Sequence, residues 1–270
     1  MRIGILHLTR YLYDTPASYG VLTLRLTPPE FEGQRMVSWA IRAPGIDKAA
    51  SFRDGFGNLA HLVALRAPHS GIEIVAEGVV ETADSHGVVR GLAERAPLRV
   101  FLRTTPLTAA DAAIRSLAAG LGGADTVARL HALMERVADR IAYVVGETHS
   151  ETTAAEALAR GRGVCQDHAH VFISAARVLG IPARYVNGYM LAEAGHQAEA
   201  HHGWAEAWAE GVGWIGFDPA NGLCPTDRYV RLATGLDAAS AAPIRGSRHG
   251  GDSEQLDVRV EVAQQGASQQ

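Results

Sequence analysis

The sequence predicts an α+β protein. A β-rich domain is expected over residues 1–96, then a core over residues 97–262 in which a cysteine-bearing helix packs on an antiparallel sheet. Three observations predict this. Residues 1 to about 90 alternate apolar and polar side chains and show no helical stripe. Helical periodicity begins beyond Thr108. Strand-like runs resume after Gly180, and helices followed by antiparallel strands give an α+β core.

Taken in order, "RIGILHLTRYLY" puts Ile3, Ile5, His7, Thr9 and Tyr11 on one side of a strand. "GVLTLRLTPP" is read as a second strand, stopped by Pro28 and Pro29, and "RMVSWAIRAP" as a third. "DGFGN", residues 54–58, is a turn, with "LAHLVALRAP" returning from it and "GIEIVAEGVVE" following. Pro97 to Pro106 reads as a connector, with Thr108 the expected cap of the next helix. Val127, Leu130, Met134, Val137 and Ile141 recur at helical spacing. "ETTAAEALARGRG" predicts a short helix capped by Thr152, with Ala155 and Leu158 inward and Gly161 ending it. Val164, His168, Val171, Phe172, Ala175 and Leu179 form the stripe of a further helix, which Gly180 stops. "ARYVNGYML", "GWAEAWAE" and "GWIGFDPA" are strands, 237–253 is loop and "LDVRVEV" a last strand. Residues 263–270 are expected to be a disordered tail.

The bulk numbers narrow the function. A chain of 270 residues with 47% hydrophobic and 20% charged residues is that of an ordinary globular protein. A net charge of −4 argues against nucleic acid or an acidic membrane as the main partner. No run approaches the length of a membrane span, and "MRIGILHLTRYLY" lacks the apolar centre of a signal peptide. Two cysteines, Cys165 and Cys224, make no disulfide framework and suit a reducing compartment, so a cytoplasmic location is expected.

"GRGVCQDHAH", residues 161–170, raises three readings for Cys165: nucleophile, metal ligand with His168 and His170, or inert thiol. On a helix His168 lies about 60° from Cys165 and His170 about 140°, so the three do not converge on one tetrahedral ion. A thiol where a glycine-rich turn enters a helix meets free amide N–H groups and the positive end of the dipole, which favour thiolate. Such a nucleophile needs a base, and the base an orienting group.

"HHGWAEAWAEGVGWIGFDPAN", residues 201–221, reads as a hairpin. His202, Trp204, Glu206 and Trp208 share one face of its first strand, whereas His201 points the other way. A turn centred near 210–211 puts Asp218 beside or diagonal to His202 on that face. Cys165, His202 and Asp218 are thus the candidate catalytic triad. His7, His61 and His69 are read as structural or exposed.

The segments "GRGVCQDHAHVFISAARVLGIPARYVNGYM" and "HHGWAEAWAEGVGWIGFDPANG" resemble the bacterial transglutaminase-like superfamily, cysteine enzymes related in core architecture to papain-type proteases. "HLTRYLYDTP", "RLTPP", "DGFGN" and "RAPHS" resemble the β-rich domain that precedes this core in bacterial members. The resemblance implies a transglutaminase-like (papain-like) core with Cys165 as nucleophile, His202 as base and Asp218 as orienting acid. It implies thioester chemistry on an amide or peptide bond, ending in hydrolysis or transamidation. Trp204 is expected to wall the substrate site, and the Cys165 N–H to donate to the oxyanion. Leu236 and Ser240 stand where an arginine and a second acid are expected. No cofactor or metal is expected, and no calcium loop is present. The expected partner is a peptide or protein substrate. The N-terminal domain is left to bind substrate, cover the cleft or form a homo-oligomer. A catalytically silent binding module is the rival, and a zinc-binding protein the third reading. Substrate choice is expected to reside in loops such as 190–201 and 237–253.

Overall fold

The computed structural model describes residues 1–122, 125–192 and 201–265. The alternation at the N-terminus makes one long strand where two were expected: β1 (Arg2–Leu24) runs straight through Asp14-Thr15-Pro16, with a register shift between Ala17 and Tyr19. β2 (Gln34–Arg42), β3 (Ala50–Arg53), β4 (Leu59–Leu65) and β5 (His69–Thr82) follow, all antiparallel to their neighbours, in the order β2-β5-β1-β4-β3. The turn between β3 and β4 is the expected "DGFGN", where Asp54 accepts the Phe56 and Asn58 amides.

β6 (Val88–Val89) comes next, and the connector then takes two 3₁₀ turns, Leu98–Leu102 and Pro106–Thr108. Phe101 is fully buried there, edge-on to Trp214. α1 (Ala112–Ala118) is capped by Asp111, whose carboxylate accepts the Ile114 amide at 2.8 Å. The expected cap, Thr108, is instead buried and bonded by Arg177. α2 (Thr126–Arg140) buries Leu130, Leu133, Met134 and Val137. β7 (Ala142–Tyr143), α3 (Ala154–Arg160) and β8 (Arg162–Gly163) come next. Thr153, one residue beyond the expected Thr152, caps α3 in a reciprocal pair with Glu156. Ala154 and Ala157 lie innermost, with Ala155 and Leu158, the residues expected inward, at the margin of the core.

α4 (Cys165–Val178) was expected to show one apolar stripe, yet 12 of its 14 residues are buried. The reason is its position. It lies under a second sheet built from β9 (Ala183–Met190), β10 (His201–Ala209), β11 (Gly213–Phe217) and β12 (Tyr229–Gly235), in the order β12-β9-β10-β11-β6. Phe172, Ile173, Ala175 and Ala176 join Ala205, Ala207, Ile215 and Phe217 in one core with α1, α2 and α3 around them. A second core forms where Tyr189, Val230, Leu232 and Ala233 meet Ile3, Ile5, Leu24 and Ile74 of the first sheet. β12 is therefore buried along its whole length.

The chain then returns to its beginning. β13 (Ile244–Gly250) pairs with the second half of β1, and β14 (Glu254–Gln264) with the first half. Residues 244–264, assigned from the sequence to core, loop and tail, thus supply two strands to the N-terminal sheet. The remaining expected tail, 266–270, lies outside the described residues. Among the described residues, no helix is long and apolar enough to cross a membrane.

Candidate functional site

The turn that presents Cys165 is built by two glycines and an acid. Gly161 ends α3 at φ 62°, a left-handed conformation that favours glycine. Gly163 serves differently, because a Cβ there would lie 2.5 Å from Asp167 Oδ2. That carboxylate fills the space, accepting the Val164 amide at 2.8 Å and the Thr148 hydroxyl at 2.6 Å. The chain is thereby locked into the first turn of α4 with Cys165 at its first position. The first-turn amides of Cys165 and Gln166 have no intrahelical acceptor, so they remain available as donors. Gly163→Ala is expected to push Asp167 out of this turn and cost about 1–3 kcal/mol in urea unfolding. An unchanged midpoint would show that the turn does not depend on that contact.

The hairpin has the expected parity. Pairing of Ala205 with Phe217 and of Ala209 with Gly213 centres its turn on 211. Extending the register by one residue puts Asp218 across from Trp204 and diagonal to His202. The structure brings all three candidates together. His202 Nε2 lies 2.7 Å from Asp218 Oδ2, and the imidazole also bonds the Cys165 thiol. With Nε2 committed to Asp218, Nδ1 is the nitrogen left for sulfur. All three side chains are buried.

Burial is the largest influence on His202 and opposes its charge. The bonds to Asp218 and Cys165, with the charges on both, outweigh it and push the imidazole up to about 10. Burial also opposes charge on Asp218, but His202, Asn221 and Tyr229 together hold its carboxyl below the usual range.

Trp204 stacks on His202 at 6.4 Å between ring centroids and 23° between planes. Its ring lies over Gly188, where a Cβ would stand 2.6 Å from the indole. The sequence reading missed Asn221 and Tyr229, which both donate to Asp218 Oδ2 at 2.7 Å. Asn221 carried a signal: a polar residue in the turn opened by Asp218-Pro219. Tyr229 reaches the site from β12, and no local spacing marks that approach. Also missed was Tyr185, whose hydroxyl occupies the space a Cβ on Gly203 would need.

Other sequence-marked residues serve the frame. The His168 ring nitrogens face the Val164 and Ile141 carbonyls at 2.9 and 2.8 Å. His170 Nε2 accepts the Ala238 amide, and burial pushes that imidazole down to about 4. His201 faces away from His202, against His7 and Tyr189. Among the described residues, no group of three or more His, Cys, Asp or Glu is arranged to hold a metal ion. Leu236 packs with Phe101 and Trp214, and Ser240 bonds Asp237, so both atypical positions have packing roles. Of the expected specificity loop 190–201, residues 193–200 lie outside the described residues.

Residues 115–219 match the transglutaminase-like superfamily, and residues 3–81 match the bacterial transglutaminase-like N-terminal region. An uncharacterized protein of Mycobacterium leprae is 29% identical over 97% of this chain and 98% of its own length. An uncharacterized protein of Mycobacterium tuberculosis strain H37Rv is 28% identical over 97% and 92%. A crystal structure from Cytophaga hutchinsonii, provisionally named a cysteine protease, covers 100% of this chain and 92% of its own, with a TM-score of 0.77 at 22% identity. That likeness bears on the fold.

Proposed function

We propose that this chain, which belongs to the transglutaminase-like superfamily, is a thiol enzyme that cleaves or transfers amide and peptide acyl groups through a Cys165 thioester. The observation that carries the reading is His202 held between the Cys165 thiol and Asp218 Oδ2, the latter at 2.7 Å. An imidazole pushed up to about 10 stays protonated at neutral pH and balances a thiolate beside it.

The chemistry then runs in two halves. The Cys165 thiolate attacks the carbonyl carbon, and the oxyanion forms beside the first-turn amides of α4. His202 gives its Nδ1 proton to the departing amine as the C–N bond breaks, leaving a thioester. Water or an amine then attacks, His202 takes its proton, and the C–S bond breaks to restore thiolate and imidazolium. Asp218 holds the ring in one orientation throughout. Trp204 walls the site on the face it shares with His202. Water is the default acceptor, so hydrolysis of a peptide or protein substrate is favoured over cross-linking. The reaction requires Cys165 as a free thiol, which suits a reducing, cytoplasmic setting.

The test is alkylation by iodoacetamide at pH 6–7. Wild type is expected to label rapidly at Cys165, and Cys165→Ser only at the rate of Cys224, whose thiol burial pushes up. Equal rates would mean that no activated thiol exists, and the reading of a silent binding module would replace this one. Peptide amides with and without a primary amine then separate the chemistries. Ammonia released without the amine marks an amidase, ammonia only with it a transferase, and new peptide termini a protease.

A further inference from the structure

Resting on that reading, we infer that Tyr229 and Asn221 are positioning residues that fix the Asp218 carboxylate and limit how strongly it holds the proton on His202. Three donors converge on one oxygen. Asp218 Oδ2 takes His202 Nε2, the Tyr229 hydroxyl and the Asn221 amide, each at 2.7 Å. The other oxygen, Oδ1, takes the backbone amides of Ala220 at 3.1 Å and Asn221 at 3.4 Å. A carboxylate with five donors can only accept, so a proton on Asp218 would displace one of them.

The two side chains reach Asp218 from different elements. Asn221 belongs to the turn that Asp218 opens, and Tyr229 to β12, across the sheet. Trp204 ties Tyr229 to the base, stacked on His202 and edge-on to Tyr229 at 5.5 Å. Burial, and then the Asp218 charge and hydrogen bond, hold the Tyr229 phenol far above its ordinary value, so it stays a donor across the working pH range. Among the described residues, the other ionisable groups near this cluster are Cys165 and Asp167 on α4, Tyr185 on β9, His201 on β10 and Arg228 before β12. None of these is bonded to Asp218.

The sign follows from charge sharing. Each donor draws negative charge out of Oδ2 that would otherwise stabilise the imidazolium. A barer carboxylate would hold that proton more tightly and hinder its transfer to the departing amine. Tyr229 and Asn221 therefore do more than support the loop: they keep His202 able to release its proton.

The experiment is an NMR titration of ¹⁵N-histidine-labelled protein, following the His202 imidazole in wild type, Tyr229→Phe and Asn221→Ala. Tyr229→Phe keeps the ring and loses only the hydroxyl. Wild type is expected to titrate far above the ordinary histidine value. Each variant is expected to titrate higher still, by about half a pH unit. Midpoints that stay put or fall in both folded variants would overturn the inference, since a purely structural role predicts one of those results. A wild-type midpoint near 6.5 would overturn the proposed thiolate–imidazolium pair itself, and this inference with it.

Discussion

Cys165→Ala is expected to lose turnover by about four orders of magnitude or more on any amide substrate found for the wild type. The argument is one of roles. In the proposed reaction Cys165 supplies the bond that forms, and no other thiol can replace it: Cys224 is the second free cysteine and is not a partner of His202. His202→Ala is expected to lose nearly as much, because it removes both the counter-ion of the thiolate and the proton donor to the leaving amine. Asp218→Ala should lose less, because the thiol and imidazole remain and what is lost is the ring's orientation and part of the support for its charge. Nucleophile and base first, orienting acid last, is the expected order of loss, since residues acting as a unit are not additive. Single-turnover acylation separates these effects from product release. A Cys165→Ala protein that keeps the wild-type rate would exclude the thioester route.

The parts of this site legible in the sequence are those that follow a short period. Strand alternation separates His202 from His201 and aligns Asp218 with His202, because a hairpin turn fixes register over a few residues. Helix geometry turns His170 away from the face that His168 shares with Cys165 for the same reason. What the sequence hides are contacts between distant strands. Tyr229 meets Asp218 only because β12 lies beside β9, and β9 beside β10. "LDVRVEV" reads as a strand, yet its partner lies at the other end of the chain, in β1. The two halves of β1 look separate because Asp14, Thr15 and Pro16 are common in turns. The turn between β13 and β14 instead packs against them, with Asp14 taking the Ser253 amide and Thr15 the Asp252 amide. The cap falls on Thr153 and not Thr152, two residues of the same chemistry, because only Thr153 has a glutamate three residues on, at Glu156.

Glu206 in "HHGWAEAW" shares a strand face with His202, yet its chemistry is structural. It is almost fully buried between two arginines, accepting from Arg184 Nε at 2.6 Å and from Arg231 Nε at 2.9 Å. Arg184 also holds Glu94, just before the connector, at 2.9 Å, and its guanidinium lies 3.8 Å from the Trp214 ring centroid. One carboxylate thus joins β9, β10 and β12 four residues from His202. Burial opposes its charge, but the two guanidiniums outweigh that and hold Glu206 down at about 2. Glu206→Gln keeps the shape and removes the charge, leaving two buried cations with Glu94 alone. The expected cost is about 3–5 kcal/mol at pH 7, because a broken buried pair leaves an uncompensated charge. The pH dependence has a defined sign. A carboxylate depressed in the folded state contributes its full stability above the unfolded value, about 4.3, and loses it as pH falls toward 2. Urea unfolding of wild type and Glu206→Gln should therefore show a gap of several kcal/mol at pH 7 that narrows steadily below about pH 4. A gap under about 1 kcal/mol, or one that does not change with pH, would show that the arginines are stabilised by something other than Glu206.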